Sequence, residues 1–329
     1  MIEPRGFADI LSVFRTFAER NSLSVYDEMA GTGLLRHVLL REGMSGKEIM
    51  VCVVVNAAPG DKRLVVFDEL IRELQKKAEI KAVLLSHNTR RTNVIRGDKE
   101  TCLYGIGRIR DKIGANVYEI SARSFYQVNP VQTEVLYERC AAAAGLTGKE
   151  TVWDLYCGTG TITLFLAAKA KEVYGVEIVR AAVEDAKRNA ALNGISNAQF
   201  ACGRAEDIII DGREPDLKSV GSPDMVSSEQ HGGGDDTDLY LPPPDVIVVD
   251  PPRKGCDVKL IETIAGSGAS KLVYVSCNPA TLARDAGRLS ERGYKLKTLE
   301  PVDMFPHTTG VECVAEFVST GTVPVDTPI

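Results

Sequence analysis

Hydrophobic positions along this chain recur in two ways, at helical spacing in some windows and as short unbroken runs in others. Between Gly6 and Asn21 the spacing is helical, with Ile10, Val13, Phe14 and Phe17 on one stripe. Two strand-like runs follow, Leu34–Leu40 and Ile49–Val55. A helical window from about Leu64 to Ala78 and a strand at Ala82–Leu85 complete a small α/β unit. Thr101–Ile120 reads as short strands with glycine turns at Gly105, Gly107 and Gly114. Pro130–Gly145 reads as a helix that Gly145 ends.

From Thr151 onward strands and helices alternate, the pattern of a doubly wound parallel sheet. The expected parallel strands are Val152–Tyr156, Glu172–Ile178, Ala198–Cys202, Asp245–Asp250 and Leu272–Cys277. Tyr294–Leu299 and Val311–Val318 suit a terminal antiparallel pair. The expected fold class is α/β, a Rossmann-like doubly wound sheet in residues 123–329 with a smaller α/β domain in residues 1–122. Residues 211–244, rich in Gly, Pro, Ser and Asp, interrupt the alternation and read as a flexible acidic surface insertion. No internal repeat is visible.

At 329 residues, 44% hydrophobic and 26% charged, the chain has room for two substantial cores. No apolar run approaches a membrane span, and Met1–Arg5 lacks a signal-peptide pattern. Cysteines stand at positions 52, 102, 140, 157, 202, 256, 277 and 313, none in a Cys-x-x-Cys pair. Neither a zinc site nor a disulfide framework is indicated, and the expected compartment is a reducing cytoplasm. A net charge of −6 would speak against a nucleic-acid partner if it were spread evenly. It is not: residues 211–244 hold eight acidic and two basic side chains, a local −6 that leaves the rest formally neutral. Overall acidity therefore does not exclude RNA. Arg36, Arg41, Arg90, Arg91, Arg96, Arg108 and Arg110 lie in the N-terminal half; most are expected to be solvated, and some to meet phosphates where they converge.

The candidate chemistry sits at strand ends. Ser276-Cys277-Asn278-Pro279 closes the apolar run Lys271–Val275, and ligands of open α/β sheets bind beyond such carboxyl ends. A single cysteine is more often a small buried hydrophobe than a nucleophile, so its company decides. Asp154–Thr161 follows the first strand of the sheet and opens a helix; Gly158 and Gly160 permit close backbone approach to a ligand. Thr163 replaces the third glycine of the dinucleotide fingerprint, and tight strand–helix packing competes as an explanation. The second strand ends at Glu177, whose carboxylate suits ribose hydroxyls, and the fourth at Asp250-Pro251-Pro252-Arg253. A dinucleotide needs a helix N-terminus for its pyrophosphate. S-adenosylmethionine carries no phosphate and tolerates a less glycine-rich turn, so methyl transfer is favoured over hydride transfer.

The ordered set Ser124–Pro130, Asp154–Thr161, Asp250–Arg253, Ser276–Pro279 and Pro306-His307-Thr308-x-x-x-Glu312 resembles the S-adenosylmethionine-dependent RNA uracil-5 methyltransferases, over nearly the whole chain and most strongly from 123 to 318. The resemblance implies methylation of carbon 5 of a uridine, with ribosomal RNA placed ahead of transfer RNA. It implies Cys277 as nucleophile, Glu312 as general base, and Gln127, Tyr156, Gly158, Thr161, Glu177 and Asp250 around the cofactor or target base. Thr161 stands where the family often has Asn. Many members carry an N-terminal β-barrel and some an iron–sulfur cluster; neither is expected here, nor any metal, membrane or obligate protein partner.

Carbon 5 of uracil is a poor nucleophile until a thiolate adds to carbon 6, and a base must afterwards remove the carbon-5 proton. The target must also leave any stacked helix. Phe125 and Tyr126 could stack on bases, although aromatics more often pack in cores. His307 is expected to shape its turn. Two other readings compete. An amino-group methyltransferase also suits Asp-Pro-Pro, but Arg253 follows the prolines in place of an aromatic, and such enzymes need no thiol. A non-catalytic RNA-binding factor would have no use for Cys277 and Glu312 together.

Overall fold

The computed structural model describes residues 6–210 and 239–321, which form two compact units. The first comprises residues 1–112 and 117–128, the second residues 113–116 and 129–329.

In the first unit, helix α1 (Phe7–Arg20) precedes strands β1 (Leu35–Gly43) and β2 (Glu48–Val55). A 3-10 turn (Lys62–Val66) leads into α2 (Phe67–Leu74), then β3 (Ile80–His87) and β4 (Lys99–Gly105), with β5 (Arg108–Ile113) and β6 (Asn116–Ser121) as a separate two-stranded pair. The sheet order is β1-β2-β3-β4, parallel between β2 and β3 and antiparallel elsewhere. The expected helix from 64 to 78 is thus shorter and has a 3-10 lead-in. Asp61 caps that turn by accepting the Arg63 N–H at 2.9 Å, and the β-branched pair Val65-Val66 resists the α form. β2 is buried on both faces: Ile49, Val51, Val53 and Val55 meet α1 and α2, while Met50 and Cys52 meet Ile109 and Ile120. The α1–α2 contact includes Phe17 and Phe67, with ring centroids 5.8 Å apart.

The second unit begins with α3 (Pro130–Ala144). Asn129 accepts the Gln132 N–H at its start, and Gly145 ends it at φ +63°, a left-handed turn that suits glycine. There follow β7 (Thr151–Leu155), α4 (Thr161–Ala167), β8 (Glu172–Glu177), α5 (Arg180–Leu192) and β9 (Ala198–Cys202). Then come β10 (Ile208–Ile210), β11 (Leu239–Leu241), β12 (Val246–Val249), α6 (Val258–Gly266), β13 (Lys271–Ser276), α7 (Pro279–Glu291), β14 (Tyr294–Val302) and β15 (Glu312–Ser319). One seven-stranded sheet runs β14-β15-β13-β12-β7-β8-β9, with β7, β8, β9, β12 and β13 parallel and β15 antiparallel to both its neighbours. This is the expected doubly wound Rossmann-like class. Its core packs Trp153, Tyr174, Ile247, Leu272 and Tyr274 from the strands against Leu260, Ile264 and Leu289 from the helices.

Most of the acidic stretch, residues 211–238, lies outside the described residues. Its final part corrects the expected insertion. Leu239–Leu241 is a strand parallel to Ile208–Ile210, and Leu239 and Leu241 are buried in the main core, so apolar burial outweighs the polar composition around them. Among the described residues no helix is long and apolar enough to cross a membrane.

Candidate active site

Parallel strands bring their carboxyl ends to one edge of the sheet, and the candidate residues of the second unit collect there. Tyr156 follows β7, Glu177 ends β8, Asp250 follows β12 and Cys277 follows β13. The Asp250 N–H donates to Leu155 O at 3.4 Å, which holds the fourth strand's end beside the first. β15 runs the opposite way, so its first residue, Glu312, reaches the same edge. Ser276 pairs with Cys313, the last pair of that register; Cys277 follows the one and Glu312 precedes the other, and the charge of Glu312 acts on the Cys277 thiol.

The turn after β7 is shaped by three left-handed residues, Tyr156 at φ +66°, Gly158 at +55° and Gly160 at +78°. The position of Tyr156 is uncommon for a bulky residue, and such strain gathers at ligand sites. The two glycines serve different ends. A Cβ on Gly160 would lie 2.9 Å from the Phe200 ring and 3.0 Å from Ala186 Cβ, whereas one on Gly158 would meet nothing within 4 Å. Gly160 is therefore a packing glycine and Gly158 faces open space. Glu177 is clamped at the lip of that space, Oε2 accepting the Gly158 N–H at 3.2 Å and Oε1 the Val179 N–H at 2.8 Å. Beside it Ile178 and Val179 are 59% and 54% exposed, an apolar ledge that sequence reasoning passed over. Thr161 begins α4, its hydroxyl 2.7 Å from that of Tyr137. Below the turn, fully buried Asp154 accepts the Thr163 hydroxyl at 2.5 Å on Oδ2, while Oδ1 has no hydrogen-bond partner. An open cradle, a fixed carboxylate and an apolar ledge fit a nucleoside such as that of S-adenosylmethionine. Gln127 belongs to the first unit.

The thiol end is built around the strand–helix corner. Ser276 Oγ accepts the Asn278 N–H at 3.1 Å, and Asn278 Oδ1 caps α7 by accepting the Ala280 N–H at 3.1 Å. Asn278 Nδ2 and Thr281 Oγ1 both donate to Arg253 O at 3.3 Å, tying the thiol corner to the loop after Asp250. A buried brace reinforces this. Asp285, inaccessible to solvent, accepts the Cys256 N–H and the Tyr274 hydroxyl on Oδ2, each at 2.8 Å, and Arg284 Nε on Oδ1 at 2.9 Å. Gly255 leaves room for it, since a Cβ there would lie 2.4 Å from Asp285 Oδ2. On the other flank, Asn129 Nδ2 donates to Met304 O at 3.1 Å, and the turn that follows carries exposed His307 at φ +65°.

Electrostatically the corner is crowded with acids. Glu312 is only 3% exposed, and burial raises its carboxyl pKa while Arg253 partly offsets the rise. Burial first, then Glu312 and Asp154, push half-buried Asp250 up to about 8. Burial likewise raises Asp154 to about 7, its bond from Thr163 acting the other way. The Cys277 thiol is raised by burial, then by Glu312 and Asp250, against a lowering by Arg253. The resting thiol is thus protonated, and Arg253 is a cation acting on both reactive groups. Among the described residues no cluster of three or more His, Cys, Asp or Glu could hold a metal ion.

These shifts fix a sign for stability. Between the ordinary carboxylate value of 3.8 and about 8, the folded chain keeps on Asp250 a proton that the unfolded chain has lost. The contribution is complete below that window and disappears as the pH rises through it. Thermal unfolding is therefore expected to show Asp250→Asn gaining on the wild type between about pH 5 and pH 8, by at least about 1 kcal/mol, or about 2–4 °C. Parallel melting curves at all pH values would contradict it.

Comparisons with known proteins point the same way. The sequence model of a Methyltransferase domain matches residues 146–220, and that of the tRNA (Uracil-5-)-methyltransferase family matches residues 233–318. An uncharacterized RNA methyltransferase of Bacillus cereus is 47% identical over 306 residues, an alignment covering 93% of this chain and 61% of that protein. One of Clostridium acetobutylicum is 42% identical over 308 residues, covering 93% and 60%. Among solved structures, Pyrococcus abyssi tRNA (uracil-54, C5)-methyltransferase in complex with S-adenosyl-L-homocysteine superposes with a TM-score of 0.70 at 27% identity, over 93% of this chain and 66% of that one. The chain spans about 60% of the length of the curated relatives it matches. On these matches, the chain is similar to the tRNA (uracil-5-)-methyltransferase family over residues 233–318 and to RNA methyltransferases over most of its length.

Proposed function

We propose that the protein methylates carbon 5 of a uridine in RNA through a covalent bond between Cys277 and carbon 6 of the uracil. What supports this reading is the β13–β15 register, which ends on the pair Ser276–Cys313, so that Cys277 and buried Glu312 come next on the two chains at the carboxyl edge of the parallel strands. S-adenosylmethionine, when bound, supplies an electrophilic methyl group. Gly158, Glu177, Ile178 and Val179 would hold its nucleoside, with Tyr156, Thr161 and, from the first unit, Gln127 as further contacts. Cys277 gives its proton to water and its sulfur bonds to carbon 6; the electron pair of the carbon 5–carbon 6 double bond moves into an enolate, and carbon 5 becomes nucleophilic. Arg253 favours the thiolate. After methylation Glu312 takes the proton from carbon 5, the double bond re-forms, and the carbon–sulfur bond breaks to return the thiolate. Asp250, neutral up to about pH 8, would donate a hydrogen bond toward the base or the cofactor amine.

The sequence-based reading takes ribosomal RNA ahead of transfer RNA as the substrate, while the matching family model and the Pyrococcus abyssi enzyme are both described by transfer RNA. Residues 1–122 would face the RNA, in the cytoplasm. The test is to incubate the protein with S-adenosylmethionine and 5-fluorouridine-containing ribosomal or transfer RNA. Fluorine cannot leave as a proton does, so a denaturation-resistant adduct is expected with one RNA class. Its absence, or its survival in Cys277→Ala, would sink the reading.

The two glycines give a second test. Gly158→Ala is expected to weaken S-adenosylmethionine binding about tenfold or more by calorimetry, at a backbone cost of about 1–2 kcal/mol. Gly160→Ala is expected to cost about 1–3 kcal/mol through overpacking against Phe200. Equal effects on binding would refute the division of roles.

A further inference from the structure

The first unit carries a cavity of about 510 Å³ walled by residues 93–98, from the loop between β3 and β4, and by Arg123. Small-molecule sites run from about 300 to 1,000 Å³, so this is room for a nucleotide and more than a lone ion needs. The loop is held from beneath. Buried Asn88 donates through Nδ2 to Val94 O at 2.7 Å and Ile95 O at 2.9 Å, and its Oδ1 accepts the Arg90 N–H at 3.1 Å. Ser86 Oγ accepts the Gly97 N–H at 3.0 Å, and Arg123 Nη2 donates to Gly97 O and Asp98 O, each at 2.7 Å. Gly97 cannot carry a side chain, because its Cβ would lie 1.7 Å from His87 O. A loop tied this way loses little freedom on binding.

What the loop offers outward is apolar and cationic. Val94 and Ile95 are 59% and 47% exposed. Of the nearby acids, Asp98 pairs with Arg90, and Glu100 Oε1 lies 3.2 Å from Arg123 Nε as an ion pair without a hydrogen bond. Arg96 lines the cavity with Nη1 buried and without a hydrogen-bond partner. Burial first, and the nearby charge of Arg96 second, disfavour the charged form of Arg41, so two guanidinium groups sit close enough to repel. A buried, unused donor beside a second cation calls for an anion. The apolar pair calls for something flat beside it, and a base is available in that way only from an unstacked strand.

We propose that this cavity is a subsite for single-stranded RNA, in which Arg96 takes a backbone phosphate and Val94 and Ile95 support the adjoining base. The proposal rests on the methyltransferase reading for the kind of RNA. The test measures binding of the full chain to a short fluorescein-labelled oligouridylate across a salt series by anisotropy. Adduct formation with 5-fluorouridine RNA is read on the same samples. Arg96→Gln is expected to bind about tenfold more weakly, and its plot of log affinity against log salt to be shallower by about 0.7, the loss of one phosphate contact on a single strand. Val94→Asp, at an exposed position that folding does not depend on, is expected to weaken binding similarly, and it decides the matter should Arg96→Gln fail to fold. Wild-type affinity and slope in both variants would overturn the subsite while leaving the adduct, and so the methyltransferase reading, intact. Displacement of the oligomer by uridine monophosphate at equal phosphate concentration would also overturn it, in favour of a free-nucleotide site. A wild-type chain that forms no adduct would count against the methyltransferase reading alone, provided the oligomer still binds and Arg96→Gln still weakens it.

Discussion

Cys277→Ala is expected to lose methyl transfer by on the order of 10³-fold or more while its thermal unfolding stays close to the wild type's. The thiol is half-buried at the corner between β13 and α7, and the corner is held by Ser276, Asn278 and Thr281, none of which needs the sulfur. On the proposed mechanism, removing it deletes the step that activates carbon 5, so the loss is expected to fall on turnover and not on the fold. Cys277→Ser should be nearly as inactive, because a hydroxyl is far harder to ionise than a thiol already raised by burial and by Glu312. For the wild type that same raised thiol gives a rate that climbs with pH as the thiolate fraction grows. A variant at 277 that retains more than about a tenth of wild-type turnover would show that no covalent sulfur step is needed.

Glu312→Gln is expected to produce the opposite signature on the RNA. Sulfur can still add and carbon 5 can still be methylated, but the carbon-5 proton has no acceptor, so the carbon–sulfur bond cannot be expelled. Covalent protein–RNA complex should therefore accumulate on ordinary RNA, without fluorine, while turnover falls by about 10²–10⁴-fold. Glutamine matches the shape of the buried side chain, so β15 and its pairing with β13 and β14 should persist. A gel under denaturing conditions reads the complex directly. If Glu312→Gln lowers turnover without any such band, the carboxylate acts before the bond to carbon 6 is made, and its assignment as the final base is wrong.

The two functional ends of the site were legible to different degrees. Strand positions follow from short apolar runs bounded by polar residues, and each expected strand of the large sheet lies within about three residues of its observed bounds. That Cys277 and Glu312 meet could be read only through family resemblance. Local pattern fixes that Tyr294–Val302 and Glu312–Ser319 are strands, but not that the second inserts between the first and β13. Packing decided that order, as it decided the fate of Leu239 and Leu241, whose burial no composition rule anticipates. Asp285 escaped notice because a single acid inside an amphipathic helix ordinarily faces water. Its burial depends on Gly255 and Tyr274 arriving from elsewhere in the chain. Arg96 is one of seven arginines that sequence does not rank, since only the three-dimensional structure shows its Nη1 lining a cavity, buried and without a hydrogen-bond partner.

The placement of β15 also governs when the reaction centre can exist. Because this strand comes after β14 in the chain yet lies inside it in the sheet, β13 keeps an open hydrogen-bonding edge until residues 312–319 have been made. On the ribosome, a growing polypeptide that has emerged as far as Cys277 holds that sulfur without the Glu312 carboxylate and a sheet with an unsatisfied margin. The strand that carries Glu312 therefore docks last, and on the proposed mechanism a nascent chain does not turn over before its sheet is closed on that side.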